Sequence, residues 1–501
     1  TSHPGVEVGD RHLPMNHAFM NGPTYGNNVF IPMDWVVGGQ DFVGKGWRML
    51  VELLSIGRAI SLPAMGVACG KMSYRMTGAY ARVREQFNTS IGNFEGVEEA
   101  LARIAGLTYR LEATRKMTAH AVDLGIKPAV VSAIAKYHMT EMGRQVINDS
   151  MDVHGGRGLI AGERNYLASA YSAIPVSITV EGANILTRNL MIFGQGAVRC
   201  HPWVLEEMQS VAAEDPVAGL KQFDRAFFSH VGYSCSNFVR TLWFGITGAR
   251  FTQAPVSGET ERYYNQLTRM SSALALISDI AMFVVGGDLK RRERLSARLA
   301  DILSHLYMAT TVLKYYEDEG RNTADLPYVH WNCQNALASI ETAFSEFLVN
   351  FSSPLLGKVL KRVIFPWGNT YPKASDRLDH EVVKPMLCDN ELRDRLTSGC
   401  YFGKTADDVT GRIENAFNKV LAAAEADKKL RHAVKKKQLE PQNEYDDLLA
   451  SAVKNKFISK EESKLLKEAA DARWDAIQVD AYPSSWFSNK AVKKTKKQNA
   501  A

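Results

Sequence analysis

The spacing of apolar residues is irregular at the start of the chain and helical almost to its end. Residues 1 to about 42 are rich in Gly, Pro and Asn, with short β-prone pieces such as Asn28 to Ile31. Val36-Val37-Gly38-Gly39 reads as a strand end and turn. From Gly44 the period changes. It predicts one helix over Trp47 to Ile56, a long one from Ala59 to about Gln86, and a third from about Glu95. The third repeats apolar residues at Leu101, Ile104, Leu107 and Leu111 and stops near Gly125. Pro128 opens a fourth, running to about Val153, at a position where its missing N–H is not needed. Shorter helices are expected over Asn165 to Ala173 and after Glu181. Long helices with short connections indicate an up-down bundle.

Beyond His201-Pro202 the pattern stays helical. Leu295, Leu299, Ile302, Leu306 and Leu313 mark one amphipathic stripe. A loop with several prolines and aromatics is expected over Pro354 to Pro372, and Ser459 with Glu462 reads as a capping box opening a later helix. The fold class is therefore mainly α. A β remnant covers 1–42, a helical bundle 43–200, an extra all-helical region 201–489 and a basic tail 490–501.

Bulk composition narrows the function classes. A hydrophobic content of 46% is ordinary for a globular chain, and 501 residues allow two or three domains. The net charge of +6 is mild, and no basic face with interleaved aromatics suggests a nucleic-acid groove. Six cysteines, with no C-x-x-C pair, read as reduced and mostly buried thiols of a cytosolic protein. The longest apolar run, Ala273 to Val285, is too short to span a membrane and contains Asp279. No H-E-x-x-H, Walker loop or G-x-G-x-x-G unit points to a metal, NTP or NAD.

Three clusters in the bundle could carry chemistry. Arg84-Glu85-Gln86-Phe87, with Ile91 and Phe94, places an arginine and a ring where they could grip a phosphate and an aromatic heterocycle. His154-Gly155-Gly156-Arg157-Gly158 would let a ligand approach the backbone closely. In Ser177 to Leu190, Glu181 interrupts an apolar run, and apolar neighbours that exclude water suit a general base. Each has a plainer reading: a surface arginine beside a core phenylalanine, glycines that end a helix, and a carboxylate that caps one.

In this order and spacing the clusters resemble the C-terminal half of the acyl-CoA dehydrogenase family. That family shows R-x-x-F-G, then Q-x-x-G-G, then Y-E-G-T; Arg84 to Phe87, Asp152 to Gly156 and Glu181-Gly182 fill those slots. Ser55-Ile56-Gly57-Arg58 resembles the D-x-G-R that opens the family's C-terminal helical domain. The match spans roughly residues 25 to 200, and the region beyond resembles the long extension of large bacterial fatty-acyl-CoA dehydrogenases. Glu95 and Asp152 stand where the family has glutamines, Asn88 where it has glycine, and Ala183 where it has threonine.

The resemblance implies that Glu181 takes the pro-R α-proton of a fatty acyl-CoA while the β-hydrogen leaves as hydride to flavin N5. The glutamate's backbone N–H and a ribityl hydroxyl would polarise the thioester carbonyl. Some family members carry the base just before the first helix's arginine; that position is Gly57, which leaves Glu181. Arg84, Phe87 and Glu95 would bind FAD held mainly by a neighbouring subunit. Asp152, Val153, His154, Gly155 and Gly156 would meet its adenosine end, and Ala183, Asn184 and Ile185 the flavin. Ser55, Arg58 and Gly182 would bind substrate, with Arg58 near the CoA. The chain starts at Thr1 and is expected to be the C-terminal part of a longer enzyme of fatty-acid β-oxidation. That enzyme would be a dimer or tetramer, act on medium or long chains and pass electrons to an electron-transfer flavoprotein. Acyl-CoA oxidase is the related alternative, and a non-catalytic helical docking module a different one. The five lysines between Lys490 and Lys497, beside Trp486 and Phe487, suggest a cytoplasmic protein touching the inner membrane face.

Overall fold

A computed structural model describes residues 2–17, 21–126, 128–196 and 200–486. The chain is mainly helical, as its periodicity predicts. Near the start, β1 (Val6–Val8) pairs antiparallel with β2 (Thr24–Gly26), Val6 opposite Gly26. Asn28 to Ile31 is not a strand. Its β-prone residues have no further ladder to join, and propensity alone does not make a strand. Gly38 and Gly39, both at φ 83, form the expected turn.

The two helices expected around Gly57 are one. Helix α1 (Gly46–Met72) runs unbroken past Gly57 and Pro63, then passes through a π-helical turn, Ser73–Thr77, into α2 (Gly78–Val83). A helical glycine costs only about 1 kcal/mol, and buried Ser55, Arg58, Ala59 and Leu62 hold the turns around it. The helix ends at Val83 rather than Gln86, because residues 85–90 form a tight hairpin, β3 (Glu85–Gln86) with β4 (Thr89–Ser90). Its two loop residues, Phe87 at φ 51 and Asn88 at φ 60, are left-handed, as two-residue hairpin loops require.

Helix α3 (Glu95–Asp123) buries Leu101, Ile104 and Leu111 completely, and α4 (Ala129–His154) follows Pro128. A short α5 (Gly156–Leu159) precedes α6 (Ala168–Thr179), which is longer than predicted. Pro175 lies within it on the exposed side, where water can serve the carbonyl that proline leaves unpaired. After Glu181, α7 (Asn184–Leu186) continues as a π-helical segment, Thr187–Gln195.

Helices α1 and α4 touch backbone to backbone. A Cβ on Gly66 would sit 2.2 Å from the carbonyl oxygen of Met139, and one on Gly143 would sit 3.0 Å from the Cα of Gly66. Further along, Tyr80 stacks on His154 with ring centroids 4.1 Å apart. The pairs 66/143 and 80/154 advance together, so α1–α2 and α4 run parallel, joined through α3.

The later region packs onto this bundle in one continuous core reaching from Cys69 to Ala476. The Tyr74 and Tyr328 hydroxyls lie 2.7 Å apart, Arg110 donates to Asn332 at 2.8 Å, and Gly106 leaves room for the Trp331 ring. The stripe of Leu295, Leu299, Ile302, Leu306 and Leu313 is buried on helix Glu293–Asp318. The capping box forms on both sides, Ser459 accepting from the Glu462 N–H and Glu462 from that of Ser459. The expected loop over Pro354 to Pro372 is half helix: Pro354–Ile364 is helical, with proline at its first position and Ser353 capping it.

Two further expectations change. Only Cys69 and Cys333 are buried, whereas Cys200, Cys235 and Cys388 are exposed. Two helical stretches, Leu53–Val83 and Glu261–Lys290, are long and apolar enough to cross a membrane by composition. Both supply residues to the core, among them Tyr74, Met76, Met270 and Ile277. The basic tail, 490–501, lies outside the described residues.

The α1–α4 contact gives a direct test. In Gly66→Ala the new methyl meets a backbone carbonyl that no rotamer change relieves, so stability should fall by about 1–3 kcal/mol. Urea denaturation of the two proteins at one pH checks this. An unchanged midpoint would mean the helices separate freely.

Candidate functional site

Glu181 sits in the turn between α6 and α7 with φ 55, followed by Gly182 at φ 91. Left-handed backbone is natural for glycine but costs a non-glycine residue on the order of 1–2 kcal/mol, so the surroundings must hold it. They do so through two cations. Arg58, on α1, donates from Nε to the Glu181 carbonyl at 3.1 Å and turns Nη1 toward the Met191 sulfur at 3.8 Å. Lys136, fully buried on α4, donates to the carbonyls of Ile178 at 3.1 Å and Gly182 at 2.7 Å, and to Asn184 Oδ1 at 2.7 Å. The carboxylate is treated differently. Glu181 Oε2 is buried and has no hydrogen-bond partner among the described residues.

Burial lowers the pKa of Arg58, with the Glu181 charge working the other way. Burial likewise pulls Lys136 down to about 8; Arg58 pushes further down, while Glu181 and Glu141 push up. Lys136 therefore still carries its charge at pH 7. No sequence motif singled it out. A lysine in the middle of the apolar face of a helix was the available signal, since burying a charge demands partners.

The other expected site residues divide between open and committed positions. Asn184 is buried, and its amide is held by Lys136, Thr140 Oγ1 at 3.0 Å and Glu141 Oε1 at 2.8 Å. Its side chain is thus part of the scaffold and not a free cofactor contact. Ala183 and Ile185 are exposed beside it. Arg58 is also turned inward, only 7% exposed, so an arginine expected near the CoA instead braces the turn. Ser55 is buried one helical turn before it.

At the other end of the bundle, Phe87 is 89% exposed at the hairpin tip. Half-buried Arg84 makes no side-chain hydrogen bond or ion pair among the described residues. The hairpin itself is clamped by the later region. Arg431 pairs with Glu85 at 2.8 Å and also bonds the Asn88 carbonyl; Arg473 pairs with Glu85 at 3.0 Å and bonds the Val83 carbonyl at 3.0 Å. Arg84 also acts electrostatically on Tyr80, whose ring stacks on His154, so the hairpin and the glycine turn lie on one side of the bundle. No hydrogen bond, ion pair or ring contact among the described residues joins them to the Glu181 turn.

His154 is a core residue. Nδ1 meets the Ser150 carbonyl at 2.7 Å, Nε2 meets the Tyr166 hydroxyl at 2.5 Å, and burial with Arg157 nearby pushes its pKa to about 3. Its ring has no free nitrogen for a ligand. Asp152, Gly155 and Gly156 are exposed around it, a Cβ on either glycine would meet open space, and Val153 packs against the core. Glu95 is exposed at the first position of α3.

One cluster, His201, His230 and Asp279, has metal-like spacing. The backbone N–H groups of Trp203 and Val204 both donate to His201 Nδ1, at 3.2 and 3.1 Å. That leaves Nε2 as the protonated nitrogen, which donates to Asp279 at 2.9 Å. A nitrogen that carries the proton is not a ligand. His201 is thus committed to Asp279, while His230 Nδ1 pairs with Glu207 at 2.9 Å and its Nε2 lies 3.6 Å from Asp279.

Residues 44–193 match the sequence profile of the acyl-CoA dehydrogenase C-terminal domain, and residues 198–482 that of its bacterial-type C-terminal region. The chain belongs to the acyl-CoA dehydrogenase family. Its mainly helical fold agrees: the structure of an acyl-CoA dehydrogenase complexed with FAD from Bacillus anthracis superposes with a TM-score of 0.58 at 17% identity. That superposition covers 77% of this chain and 64% of the other. Short/branched chain specific acyl-CoA dehydrogenase from Bos taurus is 31% identical over 140 residues, 27% of this chain and 31% of that protein. A 75-residue segment is 53% identical to Protein HemX of Proteus mirabilis, covering 15% of this chain and 44% of that protein. The chain thus spans less than half the length of either of these curated relatives.

The family bundle contains an acid-sensitive element. His154 has a folded pKa of about 3 against an ordinary value of 6.5, so the unfolded chain binds the extra proton between these values. Stability therefore rises with pH across that window and is lost as pH falls from 6.5 toward 3. His154→Gln should be less stable than the parent at pH 8, with the gap narrowing by pH 4.5. Denaturant titrations at both pH values check this, and a constant gap would mean that folding leaves the affinity of His154 for its proton unchanged.

Proposed function

We propose that this chain carries the base and part of the flavin site of an FAD-dependent dehydrogenase that converts fatty acyl-CoA to trans-2-enoyl-CoA. The observation that carries the reading is the buried, unpartnered Oε2 of Glu181, held in a left-handed turn that the chain would not adopt unaided. FAD, when bound, supplies the two-electron acceptor for the β-hydrogen, which leaves as hydride. Glu181 takes the α-proton: the Cα–H bond breaks, a carboxyl O–H forms, and the Cα–H electron pair becomes the π-bond as the hydride departs.

The residues present fit a flavin dinucleotide. Arg84 has an uncommitted guanidinium for a diphosphate, Phe87 offers an exposed ring, and Gly155 and Gly156 leave backbone open to close approach. Because these lie apart from the Glu181 turn, the reading assigns the two groups to sites in different subunits of a dimer or tetramer. The exposed apolar residues Leu50, Leu53, Leu54, Ile56 and Ile60 on α1 support an acyl substrate of medium or long chain. We assign an electron-transfer flavoprotein as electron acceptor; oxygen, as in an oxidase, is the alternative that rapid reoxidation in air would reveal.

In the full enzyme, Glu181→Gln should keep FAD and lose its bleaching by acyl-CoA. Near-normal reduction of that variant would remove Glu181 from the reaction. Arg84→Ala should weaken FAD retention about tenfold to a hundredfold, the value of a charge-assisted contact of roughly 1.5–3 kcal/mol. Fluorescence of released FAD on dilution measures it, and unchanged retention would make Arg84 a surface residue only.

A further inference from the structure

We propose that Lys136 is a positioning residue that sets the conformation of the Glu181 turn, an inference resting on Glu181 being the base. Its ammonium has three donors and meets three acceptors, and these bracket Glu181: the carbonyl of Ile178 before it, and the carbonyl of Gly182 and the side chain of Asn184 after it. A neutral amine has only two N–H groups, so the arrangement fits the charged form alone. Asn184 passes the constraint on to Thr140 and Glu141, one turn along α4. Lys136 thus ties both flanks of the turn to a single helix.

The peptide geometry shows what this does. In a trans peptide the C=O and N–H point in opposite directions. Arg58 draws the Glu181 carbonyl inward and Lys136 the Gly182 carbonyl, so the N–H groups of Gly182 and Ala183 face the other way. Neither makes a hydrogen bond among the described residues. Two consecutive backbone donors thus stand unpaired among the described residues, directly after the carboxylate. The two cations therefore fix at once where the carboxylate sits and where the backbone donors point. The groups facing the ammonium are Arg58 from α1, Glu181 from the turn and Glu141 from α4.

A lysine that merely tied α4 to the turn would change melting without changing the turn's own order, and the test separates the two. In the full chain without cofactor, Lys136→Met should speed amide hydrogen exchange across residues 179–187 by about tenfold or more, the effect of losing a charge-assisted hydrogen bond. Exchange in helix Glu293–Asp318 should not move. In flavin-loaded enzyme, the same variant should lower kcat for flavin reduction about tenfold or more while KM for acyl-CoA stays within about threefold. A lower melting temperature with unchanged turn exchange overturns the proposal, as does unchanged reduction per bound flavin. If Lys136→Met does not fold, the unmodified chain and Lys136→Arg serve instead. Turn exchange, corrected for its intrinsic pH dependence, should rise through pH 8 in the former and stay flat in the latter. A flat response in both overturns it. Should exchange respond while Glu181→Gln still bleaches flavin, the positioning stands and the assignment of the base fails.

Discussion

The close contact between α1 and α4 is the constraint on which the site depends. Glycines at 66 and 143 let two long helices meet with a Cβ-sized gap removed, which ordinary side chains hold open at about 8–10 Å between axes. Because the helices run parallel, the residues two turns before the contact, Arg58 and Lys136, also lie on the same side. Both then reach one turn. The residues beyond the contact, Tyr80 and His154, stack in the same register. A single point of small residues therefore sets both ends of the bundle, the Glu181 turn at one and the hairpin with its glycine turn at the other.

The later helical region supports the hairpin end. A two-stranded hairpin of six residues has little stability of its own. Here Arg431 and Arg473 bind Glu85 and two hairpin-side carbonyls, from helices more than 340 residues further along the chain. A second charged group, Arg75 and Arg393 on Glu414, joins the π-helical turn to the same region, with Arg393 almost fully buried. Breaking one partner of such a buried group costs far more than an exposed pair contributes. The conformation that presents Arg84 and Phe87 is thus a property of the whole chain rather than of the bundle.

How much of this was readable beforehand follows from what each feature rests on. The long helices were legible because burial repeats every three to four residues, as in Leu101, Ile104 and Leu111, and because Pro128, Ser459 and Glu462 mark helix starts. Their joins were not. Gly57 looked like a break, but packing by its neighbours outweighs a weak local preference, and Pro175 is tolerated for want of a buried acceptor. The short hairpin was hidden because Glu85 to Ser90 has no strand-like alternation, only a Phe-Asn pair that must adopt left-handed backbone. Glu181, Arg84 and Phe87 carried a visible pattern. The commitments of His154, Asn184 and Arg58 did not, since they depend on partners 12 to 133 residues away. Lys136 was missed for the same reason: nothing local distinguishes a buried lysine from a surface one.

The arrangement also answers how two cations can stand beside the carboxylate we propose as the base. A guanidinium bonded to the carboxylate itself would favour the charged form and leave a weak base. Here Arg58 and Lys136 bond to backbone oxygens instead, at Glu181, Ile178 and Gly182. Their hydrogen bonds are used on conformation, while Oε2 of Glu181 is left without one. The left-handed turn makes this separation possible, because it sends the carbonyls and the side chain of one residue in different directions. A glycine at 182 lets the next peptide follow without steric cost, so the carboxylate is held by its own backbone while its buried Oε2 keeps no hydrogen-bond partner.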